Sequence, residues 1–218
     1  MLDSLFPSDV RTVCLTRCPA DTGLLPEEEP FVRAAVEKRR LEFTLGRVCA
    51  RMALTGLGFP SVPLPVGADR APVWPEGIVG SISHCSGLAG AAVARGNRHA
   101  GLGLDIEPLE PVDESLFRMI ATPREHDWLA GLPPDESGRI ARLLFSAKES
   151  VYKALNPLLG VFLGFQDCEV MLDLPAGTFS ATVQSHRLPA SWNGRRLEGR
   201  HAASETHLAT GLALPPPA

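Results

Sequence analysis

Apolar residues recur along this chain in two rhythms, one helical and one of strand type. Between about Phe31 and Leu57, Val32, Val36, Phe43, Ala50 and Leu54 return at helical spacing. Gly56, Gly58 and Pro60 mark the stop, and Pro30 behind the acidic run Glu27-Glu28-Glu29 suits the start. A second long helix is predicted over about Glu136–Asn156, ended by Pro157. In it Ile140, Leu143, Leu144, Ala147, Val151, Ala154 and Leu155 form one stripe roughly 100° wide. Shorter helices are predicted at Glu114–Ile120 and Pro123–Leu129. Strand patterns fall at Val10–Thr16, Ile78–Ser83, Leu88–Ala94 and Gly101–Ile106, then at Cys168–Leu174, Thr178–Gln184 and His207–Leu214. Residues 59–78 are rich in Pro and Gly and read as loop, and the tail Leu214–Ala218 is expected to fray. A long helix followed by strands, then helices followed by strands, predicts an α+β fold of two similar halves.

The 218 residues carry 21 Lys+Arg against 25 Asp+Glu, a net charge of −4. With 44% hydrophobic and 21% charged residues, the chain is a folding one with material for one domain or two small ones. Mild acidity argues against a nucleic-acid partner. No apolar stretch approaches a membrane span, and MLDSLFPSD lacks the pattern of a secretory signal. Of five cysteines only Cys14 and Cys18 lie close together, and no matching pair follows at zinc-ligand spacing. Reduced thiols in a cytoplasmic protein are the expectation.

Four segments carry candidate chemistry. In the second long helix Glu149 points away from the apolar stripe, with Lys153 one turn on and Arg142 on the same face. Taken alone this is a solvated face with an i,i+4 pair worth about 0.3–0.5 kcal/mol. The segment Gly101-Leu-Gly-Leu-Asp-Ile-Glu107 reads as a strand ending in two carboxylates. Asp105 and Glu107, two residues apart, share a face and form a natural Mg²⁺ site once a third oxygen ligand joins them; an exposed strand end explains them equally well. In Gly80-Ser-Ile-Ser-His-Cys-Ser-Gly87 a strand runs into hydroxyls and His84, suited to phosphate, although a satisfied structural histidine is the commoner case. Finally, helical geometry sets Arg40, Arg47 and Arg51 along one ridge, with Arg39 closer to the apolar stripe. Such a ridge suits a multiply charged phosphate, and a solvated basic face fits as well.

The segments KRRLEFTLGRVCAR, RAPVWPEGIVGSISHCSG, GLGLDIEP and LLFSAKESVYKAL, in this order, resemble the Sfp-type 4′-phosphopantetheinyl transferases, especially the class tied to siderophore, non-ribosomal peptide and polyketide assembly. The resemblance implies two α+β halves forming a pseudo-dimer with the active site in the cleft between them, divided here as residues 1–105 and 106–218. It implies that Asp105, Glu107 and Glu149 hold Mg²⁺ (or Mn²⁺), and that Asp105, Glu149 and Lys153 are catalytic. It further implies that Arg39, Arg47, Ser83, His84, Lys148 and Lys153 contact CoA. Arg70 is the nearest base in the loop where other members carry a CoA-binding lysine, and Phe145 stands where many carry Trp.

The implied reaction moves the 4′-phosphopantetheine arm of CoA to a serine of an apo carrier protein and releases adenosine 3′,5′-bisphosphate. Glu149 is the candidate acceptor of the serine proton. The implied partners are carrier proteins of fatty-acid, polyketide or non-ribosomal peptide synthesis, with Leu116, Phe117 and Met119 as a candidate docking surface on a monomer. Two other classes make different predictions. Another Mg²⁺-dependent phosphoryl-transfer enzyme or nucleotide pyrophosphatase would release nucleotide without a protein acceptor. A non-catalytic CoA- or carrier-binding module would bind without turnover.

Overall fold

A computed structural model describes residues 1–67 and 70–216; Pro217 and Ala218, the end of the expected frayed tail, lie outside the described residues. Strands β1 (Arg11–Leu15), β2 (Ile78–Cys85) and β3 (Leu88–Arg95) form an antiparallel sheet in the order β1-β3-β2. Strands β4 (Gly101–Pro108), β5 (Cys168–Asp173), β6 (Thr178–Val183), β7 (Arg196–Ala203) and β8 (His207–Leu214) form a second, ordered β4-β8-β7-β6-β5. Helix α1 (Glu37–Gly56) covers the first sheet, and α2 (Glu114–Ile120), α3 (Pro123–Ala130) and α4 (Pro134–Leu159) belong with the second. This is the expected α+β architecture. Among the described residues no helix is long and apolar enough to cross a membrane.

Three elements depart from the sequence expectation. Helix α1 starts at Glu37 rather than near Phe31, because residues 29–31 make a separate 3-10 turn beside Glu28, which is fully buried. Pro157 does not end α4. The missing N–H removes one intrahelical bond, but Ala154 and Leu155 are locked in the core and the helix runs to Leu159. Gly160, at φ +63°, then caps it, its N–H donating to Asn156 O at 2.8 Å. Strand β7 was not foreseen. Its inward positions are Leu197 and Gly199 and its outward ones charged, so the apolar alternation has almost no amplitude. Gly199 has no side chain because the Phe179 ring fills that space.

The core has three parts. One lies between α1 and the first sheet, around Leu54, Leu64 and Val93. Another lies between α2–α4 and the second sheet, around Leu144, Leu155 and Phe179. The third is built by the N-terminal segment, whose Leu2, Leu5 and Phe6 pack on β3 and on the Leu102-Leu104-Ile106 face of β4. Strand β4 spans residue 105, where the division into halves was expected, and it pairs along its whole length with β8 of the second sheet.

Two local features fix the position of β4. Its opposite face carries Gly101 and Gly103, against which α4 packs backbone to backbone. A Cβ at Gly103 would stand 1.8 Å from Ser150 O, and one at Gly101 2.6 Å from Ala154 O. On its free edge β4 lies along β2 without a backbone ladder between them. There Leu104 N–H donates to Ser81 Oγ at 3.0 Å and Ile106 N–H to Ser83 Oγ at 3.1 Å. Both residue numbers advance by two, the register of parallel neighbours, so serine hydroxyls stand where strand carbonyls would accept. The two sheets meet at this serine seam.

Candidate active site

At the seam the alternation of β4 turns Asp105 and Glu107 to the glycine face, toward α4. Asp105 is 3% exposed. Its Oδ1 accepts from Lys153 Nζ at 2.6 Å and from Ser83 Oγ at 3.0 Å. Lys153 Nζ also donates to Ser83 Oγ at 3.1 Å, so that hydroxyl uses one donor and two acceptor positions and is saturated. The second oxygen, Asp105 Oδ2, is buried and has no hydrogen-bond partner among the described residues. Glu107 accepts from Arg142 Nη1 at 2.9 Å. Burial, reinforced by the Asp105 charge, pushes the Glu107 carboxyl up to about 7 against the pull of Arg142 and Lys153. Burial also raises the Glu149 carboxyl; Lys153 opposes this and Asp105 adds to it. Glu107 and Glu149 thus both feel the charge of Asp105. Among the described residues no three His, Cys, Asp or Glu side chains converge as a preformed metal cage; Asp105 is held by Lys153 and Glu107 by Arg142. The polar face of α4, which taken alone reads as a solvated one, lies over the β4 acids, with Lys153 on Asp105 and Arg142 on Glu107.

Beside the acids, Lys153, Tyr152 and Asn156 of α4 form one wall of a cavity of about 260 Å³. The other walls are Ser81 of β2 and the loop residues Arg70 and Trp74, so the cavity spans both halves. On its N-terminal side, Arg39 Nη1 donates to His84 Nε2 at 2.8 Å, which leaves Nδ1 as the protonated ring nitrogen, facing Glu42 Oε2 at 3.5 Å. Burial and the neighbouring Arg39 hold the His84 pKa below its usual value, so the ring is neutral.

A family model for the 4′-phosphopantetheinyl transferase N-terminal domain matches residues 27–94, and one for the 4′-phosphopantetheinyl transferase superfamily matches residues 101–210. The chain is 46% identical to 4′-phosphopantetheinyl transferase Svp of Streptomyces mobaraensis, over all of this chain (100%) and 91% of that protein. It is 38% identical to 4′-phosphopantetheinyl transferase Npt of Nocardia iowensis over 82% of this chain and 79% of the relative. Enterobactin synthase component D of Escherichia coli is 37% identical over 71% of both. The chain belongs to the 4′-phosphopantetheinyl transferase superfamily. As a transferase of this type it uses CoA as substrate and moves the 4′-phosphopantetheine arm onto a serine of apo carrier proteins.

Several of the expected residues are engaged by partners within the protein. Lys148 does not face the cavity. It is 3% exposed, and Nζ donates to Ile120 O at 2.7 Å, Glu125 Oε2 at 2.6 Å and Phe165 O at 2.9 Å, which uses all three protons inside the second core. The signal was present in the sequence, since Lys148 falls in the 3-4 spacing of Ala141, Leu144, Val151 and Leu155. Its partner Glu125 was missed because a capping box with Thr122 already explains a glutamate there. The arginine ridge is likewise divided. Arg40 pairs with Glu29 at 2.7 Å, and Arg51 pairs with buried Glu28 at 2.5 Å. Arg47 is 5% exposed, stacks over Phe43 and donates Nε to Leu64 O at 2.7 Å. Burial draws its guanidinium down to about 10. Ser83 Oγ donates to Asp105 Oδ1 at 3.0 Å. Arg70 is brought to the same cavity as Lys153, while Phe117 is buried and Met119 exposed.

Proposed function

We propose that transfer takes place at the seam between the halves, with Asp105, Glu107 and Glu149 as the acids of the reaction and Lys153 as its cation. The division between halves then belongs in the turn before β4, at residues 96–100. The observation that carries this reading is Asp105: a carboxylate almost removed from solvent, with Oδ2 unpartnered and Oδ1 fixed by a lysine and a serine. An orphaned buried carboxylate oxygen beside two carboxyls of raised pKa is a set of hard oxygen donors short of positive charge, which suits Mg²⁺, or Mn²⁺ in its place. Asp105, Glu107 and Glu149 would hold the ion. When bound, it supplies neutralisation for the pyrophosphate and for the charge that grows on the leaving nucleotide.

The chain's own groups do the remaining work. The carrier serine Oγ forms a bond to the β-phosphorus of CoA, and the phosphoanhydride oxygen departs with adenosine 3′,5′-bisphosphate. Glu149 Oε accepts the serine proton, and the burial that raises its pKa makes it the better base. Lys153 Nζ, already held at the seam by Ser83, is positioned for the transferring phosphoryl oxygens. Arg39, the Nη groups of Arg47, Arg70 and neutral His84 supply donors for the nucleotide phosphates. The natural acceptors are carrier proteins of polyketide, fatty-acid or non-ribosomal peptide assembly, including siderophore assembly, as the name of the enterobactin synthase relative suggests. They would approach over exposed Met119. Both family matches lie in one chain, which supports action as a monomer, in the cytoplasm where CoA and apo carriers meet.

Mass spectrometry of an apo carrier protein incubated with this chain, CoA and Mg²⁺ tests the reading. The wild type adds the phosphopantetheine mass to the serine, and Glu149→Gln does not while keeping its circular dichroism spectrum. A fully active Glu149→Gln would overturn the assigned base.

A further inference from the structure

Glu28 belongs to none of the segments that carry the chemistry, and it does not line the cavity. Yet its side chain is 0% exposed and its oxygens are used on several sides. Oε2 accepts from Arg51 Nη1 at 2.5 Å and from Leu25 N–H at 2.9 Å, and Oε1 accepts from Leu64 N–H at 3.0 Å. Leu64 is itself 0% exposed, and its carbonyl accepts from Arg47 Nε at 2.7 Å. Both backbone polar groups of one residue are thus gripped by side chains, from a carboxylate on one side and a guanidinium on the other.

Leu64 is the point from which the Arg70 loop leaves the core. Beyond it the chain doubles back. Val73 N–H donates to Pro65 O at 2.9 Å, Gly67 N–H to Ala71 O at 2.8 Å, and Val66 bridges Pro72. Arg70 stands at the turn with φ +67°, an unusual conformation for a side-chain-bearing residue that only a fixed stem sustains. On the returning limb the Trp74 ring lies where a Cβ of Gly80 would be, 2.6 Å away, which seats the loop on β2.

We propose that Glu28, acting through Leu64, is the positioning residue that sets the Arg70 loop for CoA. The proposal rests on the reading above, in which Arg70 supplies donors for the nucleotide phosphates of CoA. Glu28→Gln keeps the volume but turns one acceptor into a donor, which then faces Arg51, Leu25 N–H or Leu64 N–H, all donors themselves. The stem is loosened while the acids on β4 and α4 stay in place.

Steady-state kinetics and calorimetric CoA titration of the full chain test this. Glu28→Gln is expected to raise KM and Kd for CoA roughly 2- to 30-fold, with kcat at saturating CoA close to wild type. Arg70→Ala weakens CoA similarly, and the double variant shows no further loss, because both act on one contact. Should Glu28→Gln fail to fold, Val73→Pro removes the Val73–Pro65 hydrogen bond at a half-exposed site away from the core, and KM for CoA rises in the same way. Unchanged CoA affinity in Glu28→Gln or Val73→Pro, a fall in kcat without a change in KM, or additive penalties in the double variant overturn the proposal. Wild-type CoA affinity in Arg70→Ala removes Arg70 from the phosphate donors, and the inference with it.

Discussion

The two halves contain the same clamp and use it differently. In the first, Arg51 of α1 reaches back 23 residues to buried Glu28, which also accepts from the N–H three residues before it and from Leu64 beyond the helix. In the second, Lys148 of α4 reaches back 23 residues to buried Glu125, which also accepts from the N–H of Thr122, three residues earlier, and from Val170 beyond the helix. Each clamp ties the segment before a long helix to the segment after it. One residue past the clamp cation, α1 carries exposed Met52 and α4 carries Glu149; five residues past it, α1 carries Gly56 and α4 carries Lys153. Strand β1 has no carboxylate where β4 ends in Asp105 and Glu107. The scaffold is present twice and the acids once. The comparison separates what the fold requires of a charged residue from what the reaction requires, and it places Lys148 with the former.

The largest expected effect comes where the second half has a feature of its own, the glycine face of β4. Gly103→Ala sets a methyl against the Ser150 carbonyl and forces α4 off the strand, at a cost of about 4 kcal/mol or more. Denaturant unfolding should show it, and transfer activity should fall with it; a wild-type unfolding midpoint would mean that α4 does not need that contact.

Next come the clamps. Lys148→Met and Arg51→Met each strand a buried carboxylate and should cost about 3–5 kcal/mol, whereas Glu125→Leu combined with Lys148→Met should recover most of that loss. Thermal melts of the three variants check the symmetry directly. A Lys148→Met variant of normal stability but raised KM for CoA would instead return Lys148 to phosphate binding.

The smallest effect is expected at the position that matches Glu149 in the first half. Met52→Ala should shift stability by no more than about 0.5 kcal/mol and leave transfer unchanged in the mass-spectrometric assay. A large effect on either would show that the first half contributes there too.

Much of this was legible in the sequence. The stripe of α4, the hairpin β2–β3 and the strand ending in Asp105 and Glu107 follow from periodicity, and the approach of Lys153 to Asp105 was expected from the resemblance. What escaped has physical reasons. Strand β7 hides because Gly199 and charged outward residues leave no alternation. Pro157 misleads because one lost hydrogen bond is outweighed by a buried turn. Lys148, adjacent to Glu149 in the chain, sits about 100° around the helix from it, so one short motif contains both a core residue and a site residue. Glu28 and Glu125 are invisible to patterning, since a buried carboxylate is identified only by the distant amides and cations that meet it. The role of Ser83 depends on a strand neighbour 22 residues away, which no local spacing reveals.

The hydroxyls between β2 and β4 have one further consequence. Where most adjoining strands are hydrogen-bonded by amide groups, β2 and β4 are hydrogen-bonded through two serine hydroxyls, and one of them, on Ser83, also grips the carboxylate of Asp105. The joint between the sheets and the Asp105 carboxylate thus share one hydroxyl.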